Sequence, residues 1–188
     1  MADGTVLFAV RENSGDGGAG ADQLRRIQKE LEASGYEVRW ASTSDGARAV
    51  LRTEAGLAAA VVDWGLPGAG EEDGKDGGAG DGEPGGAGVL RQVGRRFQNL
   101  PVFLITAGED LDHLPLWVAE TVVGYIWPLE DTAPFIAGRI ARAARGYQEE
   151  LLPPFFKALR AFDDTHEYSW HTPAHSGGVA FLKSPVGR

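Results

Sequence analysis

Leu57–Trp64 reads LAAAVVDW, an unbroken apolar run up to a single carboxylate at Asp63. Eight residues are few for a helix, and Gly56 and Gly65 bound the run on either side. Short, continuous and closed by glycine, it reads as a strand buried on both faces. Such a strand belongs to a parallel sheet, because only crossover helices cover both faces. Three further runs have the same character: Thr5–Val10 (TVLFAV), Pro101–Ala107 (PVFLITA) and Val122–Trp127 (VVGYIW). Tyr36–Ala41 (YEVRWA) alternates apolar and polar residues and reads as an edge strand.

Between these runs the apolar spacing changes to that of helices. Leu24, Ile27 and Leu31 fall on one face, and Gly35 stands where a C-terminal cap belongs. Ser44 or Asp45 is placed to cap a short helix through Leu51. Val89–Phe97 and Leu111–Glu120 are the third and fourth helices, and Asp131 or Thr132 caps a fifth whose apolar stripe is Phe135, Ile136 and Ile140. Five strands alternating with five helices predict an α/β domain over residues 1–147, a doubly wound, five-stranded parallel sheet of flavodoxin-like or receiver-like form.

Composition narrows the functions open to this chain. The 188 residues carry a formal net charge of -9, which argues against binding nucleic acid or anionic membrane. There is no cysteine, so disulfides, thiolate nucleophiles and thiolate zinc sites are excluded, as suits a reducing cytoplasm. The N-terminus lacks a basic segment followed by an apolar core, so no signal peptide is expected. No apolar run reaches the roughly 18 residues that span a bilayer. One stretch departs from the pattern: residues 65–88 hold eleven glycines, six acids and one lysine, and are expected to form a flexible surface loop.

Two strand ends invite chemistry. Asp63 precedes Trp-Gly-Leu-Pro-Gly, close to the sequence that follows a receiver's phosphoacceptor aspartate, and Thr106 ends the fourth strand where receivers place a switch hydroxyl. Phosphotransfer also needs a carboxylate pair to hold magnesium and a lysine to neutralise phosphate. Strand one offers Arg11 and Glu12, one acid beside a cation, and strand five ends in Trp127-Pro128. Asp63 and Thr106 are therefore expected to be vestigial, with Asp63 capping the loop that follows it. Gly15–Gly20 spells G-x-G-x-x-G between a strand and a helix. It begins several residues beyond the strand, however, Asp16 would repel a pyrophosphate, and no acid closes strand two. A nucleotide cofactor is not expected there.

Beyond the domain, Leu151–Ala161 (LLPPFFKALRA) reads as an amphipathic helix opened by Pro153 and Pro154, with Phe155, Phe156, Leu159 and Phe162 on one face. A complete α/β domain has no need of it, so it is expected to dock elsewhere. From His166 the chain reads HEYSWHTPAHSGGVAFLKSPVGR. His166, His171 and His175 are loosely spaced with no acid to complete a set, so no metal site is expected.

This tail resembles the segment that leads into the large domain of the pyridoxal-phosphate-dependent Orn/Lys/Arg decarboxylases, fold-type I enzymes acting on basic amino acids. Their pattern is approximately W-x-x-P-G-H-x-G-G followed by an aromatic residue and a Lys-Ser-Pro turn. Trp170, Pro173, His175, Gly177, Gly178, Phe181, Lys183, Ser184, Pro185 and Gly187 match it, while Ala174 stands in place of a glycine. LLPPFFKAL is similar to that family's linker helix.

The resemblance implies an N-terminal wing over residues 1–147, a linker helix over 148–165, and the start of a cofactor-binding major domain over 166–188. It also implies what this chain lacks, since no Ser-x-His-Lys motif is present to hold pyridoxal phosphate and Lys183 is a poor substitute. The expectation is a noncatalytic assembly or regulatory portion, without cofactor, catalytic residue or metal of its own. Its partners would be further copies of itself and the major domain it lacks. The alternative is a free-standing pseudo-receiver that signals through protein contacts without phosphotransfer.

Overall fold

A computed structural model describes residues 4–11, 19–68, 84–106 and 113–151. Ten elements alternate along the chain. They are β1 (Thr5–Ala9), α1 (Ala19–Ala33), β2 (Glu37–Ala41), α2 (Ser44–Thr53), β3 (Leu57–Asp63), α3 (Gly85–Arg96), β4 (Val102–Ile105), α4 (Leu116–Thr121), β5 (Gly124–Ile126) and α5 (Ala133–Leu151). The strands form one parallel sheet in the order β2-β1-β3-β4-β5. This is the flavodoxin-like winding, in which the connections leaving β1 and β3 turn to opposite faces.

Strand periodicity divides the core into two layers. Val6, Phe8 and Val10 join α1 and α5 on one face, where they meet Leu24, Ile27, Leu31, Ile136 and Ile140. Leu7 and Ala9 point the other way and pack with Leu51 of α2, Leu90 of α3 and Val118 of α4. All seven residues of β3 are buried. Ala58, Ala59 and Ala60 carry the smallest side chains available to such a strand, which lets the helices lie close to the sheet.

Local sequence sets the ends of the elements. Gly35 adopts φ +91° after α1. Its N–H donates to the Glu32 carbonyl, and the Tyr36 N–H donates to the Leu31 carbonyl. These two bonds make a Schellman cap, sealed by buried Tyr36 against Leu31. The cap of α2 is Thr43, whose hydroxyl accepts the Gly46 N–H at 3.1 Å. Ser44 and Asp45, expected to cap it, lie in its first turn, because the extended backbone an N-cap requires occurs at Thr43.

Three helices differ from expectation. α3 begins at Gly85, four residues before the predicted start, so the end of the glycine-rich stretch is helical. α4 runs Leu116–Thr121 with Pro115 at its N-cap, so of the predicted helix over Leu111–Glu120 the described residues 113–115 lie before it and it ends one residue later, at Thr121. In α5, Ile136 and Ile140 are buried but Phe135 is 56% exposed. α5 also continues to Leu151, past the boundary placed at residue 147. By backbone contacts the chain divides into Met1–Gln148 and Glu149–Arg188, and of the second unit only 149–151 are described.

Gly35→Ala places a Cβ in the left-handed region and is expected to lower stability by about 1 kcal/mol. Gly35→Asn is expected to cost less, and urea denaturation midpoints of the two variants would show the order.

Candidate functional site

In a sheet wound this way the chemistry-bearing residues gather beyond the C-terminal ends of the strands, where β1 and β3 diverge. Arg11 follows β1 and Asp63 closes β3, the strand beside it. The structure joins them. The Arg11 Nε–H donates to Asp63 Oδ2 at 3.0 Å, while Asp63 Oδ1 accepts the Gly65 N–H at 2.9 Å. The carboxylate is almost wholly buried, with 4% of its side chain exposed, whereas the Arg11 side chain is 52% exposed. A buried carboxylate requires a cation or several donors, and Arg11 supplies the charge from a position that stays half in water.

The loop after β3 is built around this pair. A Cβ on Gly65 would lie 3.0 Å from Arg11 Nη2, so glycine leaves the space that the guanidinium fills. The Leu66 N–H donates back to the Asp63 carbonyl, and the Pro67 carbonyl accepts the Ser44 N–H at the start of α2. α3 then returns against the same backbone. A Cβ at Gly86 would collide with the carbonyl oxygens of Asp63 and Trp64, and one at Gly85 with that of Leu66. These glycines serve close approach rather than freedom of movement.

Thr106 is buried at the end of β4, one residue beyond Ile105, the register partner of Asp63. Trp127 follows β5 and stacks on Tyr125 with ring centroids 6.1 Å apart. Arg139 of α5 donates to the Tyr125 carbonyl at 3.3 Å and lies over the rings of Phe103 and Phe135. The edge thus brings Arg11, Asp63 and Thr106 to adjacent strand ends and puts an aromatic residue at the end of β5. Arg11 occupies the charge of the carboxylate on which phosphotransfer would depend. The sequence shows Arg11 only as a cation where an acid is wanted. Its partnership with Asp63 becomes visible once β1 and β3 are placed side by side.

Other expectations concern residues outside the described set. These are Glu12, most of the Gly15–Gly20 motif, residues 69–83 of the glycine-rich stretch, the helix at Pro153–Phe162, His166 and His171. The same holds for the tail residues Trp170, Pro173, His175, Gly177, Gly178 and Lys183. Among the described residues no group of three or more His, Cys, Asp or Glu is placed to hold a metal ion. None of the described helices is long and apolar enough to cross a membrane.

Comparison with known proteins gives this geometry a setting. Residues 19–147 match the family described as Orn/Lys/Arg decarboxylase, N-terminal domain. The chain is similar to the lysine decarboxylase LdcA of Pseudomonas aeruginosa, with 36% identity over 97% of this chain and 23% of that protein. The solved structure of lysine decarboxylase A from Pseudomonas aeruginosa superposes with a TM-score of 0.59 at 30% identity, covering all of this chain and 24% of that one. A response-regulator receiver domain from Clostridium thermocellum shares the fold, with a TM-score of 0.53 at 21% identity over 79% of this chain and 98% of that one. The chain therefore spans about a quarter of the length of the lysine decarboxylase it matches.

Arg11→Ala removes the cation beside a buried carboxylate and is expected to lower stability by about 1–3 kcal/mol, moderated by the exposure of the arginine. Asp63→Asn keeps an acceptor for the Gly65 N–H and is expected to cost less. Chemical denaturation of both variants gives the comparison.

Proposed function

The chain belongs to the Orn/Lys/Arg decarboxylase family, matching its N-terminal domain, and on that premise we propose that it serves assembly and regulation rather than chemistry. The parent activity in this reading is pyridoxal-phosphate-dependent decarboxylation of lysine, arginine or ornithine in the cytoplasm, yielding an amine and CO₂. The observation that carries the proposal is the match over residues 19–147 together with the 97% coverage of this chain by the first quarter of a lysine decarboxylase. The partners proposed are further copies of the chain and the major domain of the decarboxylase.

The described residues do not fit pyridoxal phosphate. A Schiff-base lysine needs a desolvated or cation-flanked amine to be nucleophilic near neutral pH, and Lys29, the lysine among the described residues, is exposed on α1. No catalytic step is therefore assigned to them. The receiver-like fold favours a second reading, a signalling domain working through protein contacts. The ion pair between Arg11 and Asp63 weighs against phosphotransfer in that reading, since the carboxylate already has a cation and a backbone donor.

Replacing the first quarter of the Pseudomonas aeruginosa lysine decarboxylase with this chain tests the assembly reading. The expected result is a chimaera with the parent's oligomeric state that still decarboxylates lysine, while the isolated chain supplied with pyridoxal phosphate releases no CO₂ from lysine, arginine or ornithine. A folded chimaera that fails to assemble, or decarboxylation by the isolated chain, would overturn it. Incubation with acetyl phosphate and Mg²⁺ is expected to leave the mass of the chain unchanged; a phosphoryl adduct on Asp63 would favour the signalling reading.

A further inference from the structure

The surface over α2 and α3 is basic, in a chain whose net charge is -9. α2 carries Arg48 and Arg52, while α3 carries Arg91, Arg95 and Arg96 and no acid. Packing brings three of these arginines to one groove. Arg48 and Arg52 stand one turn apart on α2 and meet Gly88, Gln92 and Arg96, spaced at single turns along α3. A Cβ at Gly88 would collide with the Arg48 guanidinium. Gln92 Nε2 donates to the Arg48 carbonyl at 3.2 Å, and Arg96 Nη2 donates to the Arg52 carbonyl at 2.8 Å. The acids of α2 and its C-cap are Asp45, whose Oδ1 lies 3.5 Å from Arg48 Nη1, and Glu54, which accepts the Gly56 N–H.

Charge and connectivity indicate what covers this groove. The connection from β3 to α3 sets Glu71, Glu72, Asp73, Asp76, Asp81 and Glu83 against Lys75 within residues 69–83, which lie outside the described set. The fold places its two ends. The Pro67 carbonyl accepts the Ser44 N–H at the start of α2, and Pro84 is the N-cap of α3. The acidic connection therefore starts and finishes at the N-terminal ends of the two helices that bear the arginines. Arg96 lies roughly 16 Å along α3 from that end, and half of the connecting residues span about 25 Å when extended. Exposed ion pairs are individually weak, but so short a tether holds the acids at a roughly millimolar effective concentration. α1, on the opposite face of the sheet, sets Asp22, Glu30 and Glu32 against Arg25, Arg26 and Lys29 and has no such surplus.

We propose that the groove between α2 and α3 is the docking site of the chain's own acidic connection, with carboxylates of residues 71–76 on Arg48, Arg52 and Arg96. The contact lies within the α/β domain and does not depend on the assembly reading.

The chain has no cysteine, so Gly77→Cys gives a single thiol for a nitroxide label. Amide relaxation in the labelled full chain then reads where the connection sits. Enhancement at Arg52 and Arg96 is expected to be about twofold or more greater in about 20 mM salt than in about 0.5 M, where charges are screened within a few ångströms. Combining Glu71→Gln, Glu72→Gln, Asp73→Asn and Asp76→Asn is expected to remove that difference. So is combining Arg48→Gln, Arg52→Gln and Arg96→Gln, with circular dichroism checking the fold. Enhancement indifferent to salt and to the acid changes overturns the proposal, as does a salt-dependent enhancement centred on α1. A mixture of nitroxide-bearing chains and separate isotope-labelled chains is expected to show none; enhancement there would put the acids on another copy and overturn it as well.

Discussion

The two-sided burial of β3 is the constraint on which the rest of the domain depends. A strand with all seven residues out of water must have a neighbour along each edge and a helical layer over each face. β1 and β4 supply the edges, and the two layers of helices supply the faces. Because β3 sits at the centre of the sheet, its end also fixes where Asp63 emerges, beside the end of β1 and next to the end of β4.

Placing a carboxylate there creates a demand that the neighbouring segments meet together. Arg11 gives charge from β1, Gly65 gives an N–H from the next loop, and the glycines opening α3 give the room for that loop to lie flat. The site is a small set of mutually required residues drawn from three parts of the chain. At its centre Asp63 is a buried carboxylate held by the Arg11 guanidinium and the Gly65 N–H.

Much of this is legible before any coordinates are considered, for physical reasons. Runs such as TVLFAV and LAAAVVDW read as buried strands because they are apolar at successive positions, on both faces, apart from Thr5 and Asp63. Gly35 reads as a cap because it follows a periodic apolar stripe. The N-cap of α2 is not legible to the residue, since Thr43, Ser44 and Asp45 all carry acceptors and only the backbone angles choose among them. Phe135 and Ile136 are neighbours on one helix, and which of them faces the sheet depends on the helix's rotation. Gly85 and Gly86 mislead in another way, because composition does not distinguish a glycine that frees the chain from one that makes space. The family resemblance is read from the tail after His166, whereas the family match covers residues 19–147 and a lysine decarboxylase is 36% identical over 97% of the chain, so the sequence likeness runs through the α/β domain as well.

The Arg11–Asp63 pair has a consequence for time. A phosphoryl group reaches an aspartate from outside and leaves by hydrolysis, so a domain governed by it carries a clock set by that lifetime. The guanidinium of Arg11 is part of the same chain and held in place by the fold, so its local concentration does not depend on any donor. A salt bridge wired in this way holds for as long as the domain stays folded, with no donor needed to supply it and no hydrolysis to remove it.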